Sequence, residues 1–176
     1  VTVTVSGFSE IQDAFLAHVR DTEYATMITV DRRNRPRARV LLPVGEVIDG
    51  EPVGWLASYP APVKSAHLAG NPHTTCAYWS PRQNAVFVDS VPTWAADEGS
   101  RVHAWEVYER GGPPGMGHDP SPYPPGGPGY HVLRIEPWRI RLVRGSDLRG
   151  TLRRKQEPAP AVSGPAGSRS SDKAAG

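Results

Sequence analysis

The sequence predicts a mainly β protein, an antiparallel barrel of about six strands carrying three short helices. Two observations support that reading. Runs rich in β-branched and aromatic residues, such as YATMITV (24–30), HTTCAYW (73–79) and AVFVDSVPTW (85–94), recur with turn residues between them. The segments with helical periodicity are too few and too short to cover both faces of a parallel sheet, which argues against a doubly wound fold.

The elements follow in order. Ser9 followed by Gln12 predicts a capping box, and Ile11, Ala14, Phe15 and Val19 recur at helical spacing behind it. YATMITV then reads as a strand, DRRNRP (31–36) as a turn and RARVLLPV (37–44) as a second strand. PVGWLAS (52–58) is the next strand, followed by a short helix over 63–69. HTTCAYW and AVFVDSVPTW pair through the turn SPRQN (80–84). Asp97 can cap a helix that carries Val102, Trp105 and Tyr108. YHVLRIEPWRIRLV (130–143) is a last strand, bent or broken at Pro137.

Gly (18) and Pro (19) make up about a fifth of the 176 residues, and they are concentrated. GGPPGMGHDPSPYPPGGPG (111–129) can be neither helix nor central strand. It reads either as a lid or pocket wall led by Met116, His118 and Tyr123, or as a plain surface loop. From Gly150 onward the chain has too little apolar content to offset the entropy of ordering it. The expected organisation is therefore one domain over 1–149 and a disordered tail over 150–176.

With 20 basic and 18 acidic residues the net charge is +2, which argues against a dedicated nucleic-acid binder. No apolar run reaches the roughly 18 residues of a membrane span, and the first residues do not read as a signal peptide. A single cysteine, Cys76, excludes an intramolecular disulfide and a cysteine zinc site. A cytoplasmic protein without a nucleic-acid or membrane partner and without a metal is expected. There is no GxGxxG opening a helix, no P-loop and no GxSxG elbow. No spacing of carboxylates argues for acid–base work, so no catalytic side chain is assigned. If the protein is an enzyme, a bound organic cofactor supplies the chemistry.

The informative stretch is 37–72. Arg37 and Arg39 project from one face of a strand. Lys64 stands near the start of the short helix behind SYPAPV (58–63), with the Ser58 hydroxyl beside it. These groups can form a phosphate cradle; the alternative is a solvated basic face. ATMITVDRRNRPRARVLL followed by GWLASYPAPVKSAHLAGNPHTTCAYW resembles the pyridoxamine 5'-phosphate oxidase-like family of FMN-binding split barrels. The matching pieces are 31–36, 39–42 and 58–72, with the expected interval from Lys64 to Asn71-Pro72. The resemblance spans about 24–143 and implies a six-stranded split β-barrel that forms a homodimer with a flavin at its interface.

Residue by residue, the resemblance implies that Arg39 and Lys64 hold the FMN phosphate. Val40 and Leu41 match backbone positions at the isoalloxazine ring, and Ala57 and Ser58 the strand end beside the ring and ribityl chain. Val63 stands where many members carry Arg, and Asn84 matches a Gln or Asn that reaches the flavin across the dimer. Pro62 replaces a phosphate-binding Ser. Val143 and RGSDLRGTLRR (144–154) stand where true pyridoxamine phosphate oxidases have a Trp and an R-L-H-D-R segment, so vitamin B6 is not the expected substrate. The resemblance is nearer to the general-stress and actinobacterial branch. It implies an FMN-dependent oxidoreductase acting on an unidentified small molecule. Alternatives are a reductase using the deazaflavin coenzyme F-420, or a non-catalytic flavin or haem carrier. Trp94, Trp105 and Trp138 are expected in the core or along the pocket.

Overall fold

The structure, a computed structural model, describes residues 5–58, 61–111, 124–125, 127 and 129–147. The chain runs through a 3-10 turn (Phe8–Glu10), α1 (Gln12–Thr22), β1 (Ala25–Val30), β2 (Pro36–Leu41), β3 (Val44–Ile48), β4 (Glu51–Ala57) and α2 (Pro62–Gly70). It continues through β5 (Thr74–Trp79), β6 (Ala85–Ser90), β7 (Thr93–Trp94), α3 (Glu98–Gly111), β8 (Val132–Ile135) and β9 (Pro137–Val143). Every strand pairing is antiparallel, as expected. One sheet has the order β2-β1-β5-β6-β9 and the other β3-β4-β8-β7.

The described residues hold nine strands where about six were expected. Three expected strands are each split at a proline. Pro43 separates β2 from β3, Pro92 separates β6 from β7, and Pro137 sends β8 and β9 into different sheets. Proline removes a ladder donor and fixes φ, so the chain changes sheet where the pairing breaks. The expected capping box at Ser9 does not form. Ser6 bonds Glu10 Oε1 through both its N–H and its hydroxyl (2.8 and 2.7 Å), and α1 begins after Ile11 without a side-chain cap. Asp97 does cap α3, accepting from the Ser100 N–H at 2.7 Å.

The barrel interior follows from strand register. Arg39, Met27, Cys76, Val88 and Ile140 form one inward row across the first sheet, from β2 to β9. Leu56, Leu133 and Ile135 of the second sheet pack against that face. The neighbouring row, Val40, Thr26, Ala77, Phe87 and Arg141, points the other way. A second core forms where α3 lays Ala104, Val107 and Tyr108 on Val53, Trp55 and Val132. Trp105 packs at its edge, whereas Trp138 is 61% exposed and belongs to neither core, contrary to expectation. Cys76 is buried as a small hydrophobe, and burial pushes its thiol up to about 12.

Among the described residues no helix is long and apolar enough to cross a membrane. The tail expected from Gly150, and Met116, His118 and Tyr123 of the Gly/Pro segment, lie outside the described residues.

Candidate functional site

The β1–β2 hairpin sets the first half of the site. Asp31 Oδ1 accepts from the N–H groups of Arg33 (2.9 Å) and Arg35 (3.1 Å), with Asn34 at a positive φ of 59° completing the turn. Asp31 Oδ2 pairs with the guanidinium groups of Arg35 and Arg37. Burial pushes the Asp31 carboxyl up, but the two N–H groups and the two arginines outweigh it, so its net shift is downward. Arg37 is thereby committed to the turn, and the two arginines of the strand face have different fates. Arg39 stands opposite Met27 and reaches diagonally to the buried Thr29, with Nη2 donating to Oγ1 at 3.1 Å.

Helix α2 supplies the second half. Pro62 stands in its first turn, where a missing N–H breaks no helical bond. Lys64, His67 and Leu68 are the buried residues of α2, at the i, i+3, i+4 spacing of one helix face. His67 Nδ1 lies 3.0 Å from Thr29 Oγ1, so one hydroxyl joins β1, β2 and α2. Lys64 is only 5% exposed, yet its Nζ donates to Ser58 Oγ at the end of β4 and sits 5.8 Å from the centre of the Trp94 ring. Burial lowers the Lys64 pKa, and the nearby Arg39 charge lowers it further.

Arg39 and Lys64 therefore lie close together, Lys64 buried and Arg39 half-buried, with no carboxylate paired to either among the described residues. Arg39 Nη1 is buried and has no hydrogen-bond partner there. Other arginines pair with carboxylates, although Arg134 also keeps a buried Nε without a partner among the described residues. Arg35 and Arg37 pair with Asp31, Arg134 with Glu136 and Arg139 with Asp89. A buried lysine beside a half-buried arginine with an orphaned donor is costly unless an anion completes them. The N-terminal end of α2 adds its partial positive charge at the same place. The result is a positively charged recess with an unfilled donor.

The other expected residues divide. Ser58 is in the cluster, its N–H bonded to the His131 carbonyl at 2.9 Å. Ala57 precedes it, its N–H donating to Tyr108 Oη at 3.0 Å. Leu41 packs at the edge of the barrel core, and Val40 is 67% exposed on the opposite face of β2. Val63 is 63% exposed and does not join Lys64. Asn84 lies in the β5–β6 turn, three strands from β2, with Oδ1 accepting from the Gly145 N–H at 3.0 Å. Gly145 passes so close to the Arg82 carbonyl that a Cβ there would collide with it. Within one chain Asn84 therefore stands apart from the cations.

Thr29, His67 and Tyr108 escaped the sequence reading as site residues. Lys64 and His67 at i, i+3 were the available signal for His67. Thr29 could have been found as an inward polar residue on an otherwise apolar strand face.

No family model matches the sequence, and none of the curated proteins does. Solved structures match it in fold. A pyridoxamine 5'-phosphate oxidase-related, FMN-binding protein from Nostoc punctiforme is 15% identical at a TM-score of 0.57, covering 80% of this chain and 85% of its own. A Clostridium acetobutylicum protein of the pyridoxinephosphate oxidase family, related to general stress protein 26 of B. subtilis, is 12% identical at a TM-score of 0.59, covering 77% and 89%. A conserved hypothetical protein from Mycobacterium tuberculosis is 19% identical at a TM-score of 0.57, covering 92% and 94%. The chain has the split-barrel fold of these pyridoxamine 5'-phosphate oxidase-like structures.

Proposed function

We propose that the protein is an FMN-binding oxidoreductase acting on a small molecule, with the FMN phosphate between Arg39 and Lys64. The observation that carries this reading is the cation pair without a carboxylate partner, with Lys64 buried and the Arg39 Nη1 donor orphaned. The FMN-binding protein of the same fold supports the choice of anion. Arg39 and Lys64 would each give a charge-assisted hydrogen bond, worth roughly 1.5–3 kcal/mol. Thr29 would orient Arg39, and Ser58 would hold Lys64 until phosphate takes its proton donor. The backbone at Val40, Leu41 and Ala57 would lie along the ring. Bound FMN supplies two-electron hydride exchange with the substrate. The chain's part is to bind, orient and shield it.

The same reading includes a homodimer. The outward row of the first sheet carries Val40, Thr26, Ala77 and Phe87 in turn, with the exposed Trp79 at its margin. Such a face is suited to a second copy, which would bring Asn84 of one chain toward the cofactor of the other. Purified protein should carry a flavin, seen as an absorption band near about 450 nm and as FMN mass on release. A deazaflavin band near about 420 nm or a Soret band would replace the cofactor assignment. Protein that neither carries nor takes up FMN would overturn it.

A further inference from the structure

The opposite end of the barrel holds a cavity of about 520 Å³ that has no part in the cation cluster. It opens beneath α1 and reaches into the interior between the two sheets. Phe15, Val19, Val53, Val88 and Ile135 are among its walls. That volume is in the usual range for a small-molecule site. Protein interiors are otherwise close-packed, so a volume of this size is not an ordinary packing gap.

One polar group marks the cavity as more than a packing defect. Tyr78 is 7% exposed and lines it, and its hydroxyl has no hydrogen-bond partner among the described residues. The neighbouring buried tyrosine, Tyr108, shows the contrast, since its hydroxyl has three backbone neighbours within 3.0 Å. Burial pushes the Tyr78 phenol well above its ordinary range, and Cys76 and Tyr108 add to the shift. The group therefore remains a neutral donor. The charged residues that line it, Arg20, Glu23, Glu46 and Arg110, are two of each sign and select no ion, and Glu46 Oε1 is already bonded to Trp55 Nε1 and near His103 Nε2.

We infer that this cavity is a second small-molecule site, taking a neutral, largely apolar molecule whose single hydrogen-bond acceptor meets the Tyr78 hydroxyl. It is separate from the proposed phosphate site, whose cations do not line it.

The neutral fluorescent ketone prodan is a suitable probe, because its emission moves to the blue when it leaves water. The full-length protein should bind it saturably with a blue shift. Tyr78→Phe should weaken binding about tenfold, the usual effect of losing one hydrogen bond. Val19→Trp, which fills the mouth from α1, should abolish binding while leaving the melting transition and FMN affinity near those of the parent; Leu16→Phe repeats the test if that variant does not fold. Saturating FMN should leave prodan bound. Absence of saturable binding, or unchanged binding in folded Val19→Trp or Leu16→Phe, would overturn the site. Unchanged affinity in Tyr78→Phe would overturn the acceptor. Displacement by FMN would merge the cavity with the cofactor site and end its claim to be a second one.

Discussion

At the end plugged by α2, the barrel interior finishes in Arg39, Lys64, Ser58, Thr29 and His67. Under α1 it finishes in Phe15, Val19 and Tyr78 around an open volume. The two ends draw mostly on different elements: β1, β2 and α2 carry the cation cluster, β3, β5, β6 and α1 line much of the open volume, and β4 reaches both. On β1, Ala25 packs in the apolar core and Thr29 belongs to the cations. On β4, Gly54 lines the cavity and the residue after Ala57 meets Lys64. The α2 end has too much positive charge for its own carboxylates. The α1 end has too little side chain for its own volume. Each deficit would suit a different class of ligand.

The largest expected effect comes from Lys64→Met, which keeps the length of the side chain and removes its charge. FMN affinity should fall about ten- to a hundredfold, the worth of one charge-assisted hydrogen bond. The ligand-free melting temperature should rise, because a buried charge without a counterion has been removed. Calorimetric titration and a melting scan read the two effects. A fall in both would show that Lys64 holds the fold together and is not kept for an anion.

Tyr108→Phe tests the wall that the two ends share. The Tyr108 hydroxyl donates to the Leu42 carbonyl at 2.6 Å, lies 3.0 Å from the Trp55 carbonyl and accepts from the Ala57 N–H at 3.0 Å. Leu42 lines the cavity and Ala57 leads to Ser58. Leaving these buried backbone groups unsatisfied should cost about 1–3 kcal/mol of stability. Chemical denaturation should show it as a lower midpoint with an unchanged slope. A loss within about 0.5 kcal/mol would mean that α3 does not clamp the two strands.

Thr29→Val should weaken FMN binding about three- to tenfold by freeing the Arg39 guanidinium, with Thr29→Ser restoring it and riboflavin affinity unaffected by either. Equal losses for FMN and riboflavin in Thr29→Val would assign Thr29 to the shape of the pocket instead.

The smallest effect is that of pH. A bound phosphate favours charged Lys64, so binding is coupled to keeping its proton. Because the Lys64 pKa in the ligand-free protein lies below 10.5, FMN affinity should begin to fall on the alkaline side before an ordinary lysine would titrate. Affinity should also fall below about pH 6, where the phosphate monoester takes up its second proton. A profile for FMN that matches riboflavin from neutral to alkaline pH would contradict the role given to Lys64.

The order of elements was legible because it rests on local chemistry. Alternating apolar strands, the Asp97 cap and the Asp31 turn all announce themselves in the sequence. The sheet changes were less legible, because a proline such as Pro43 or Pro92 reads equally well as a bend within one strand. Arg39 and Lys64 were found through strand alternation and the family resemblance. The difference between Arg37 and Arg39 was not readable, since it depends on the Asp31 carboxylate folding back over the hairpin. The cavity could not be anticipated at all. Phe15, Val53, Tyr78 and Val88 read as ordinary core residues, which they are, and only the assembled sheets and α1 show that they also border an open volume.

The central claim is that Arg39 and Lys64 are left unpaired for a phosphate. Parallel titrations of the wild type, Arg39→Ala and Lys64→Met with FMN and with riboflavin, which lacks the phosphate, test it most directly. The account predicts that the wild type prefers FMN by at least about a hundredfold, that each variant loses about ten- to a hundredfold toward FMN, and that riboflavin affinity hardly changes. Equal affinity of the wild type for the two ligands, or equal losses for both in the variants, would contradict it.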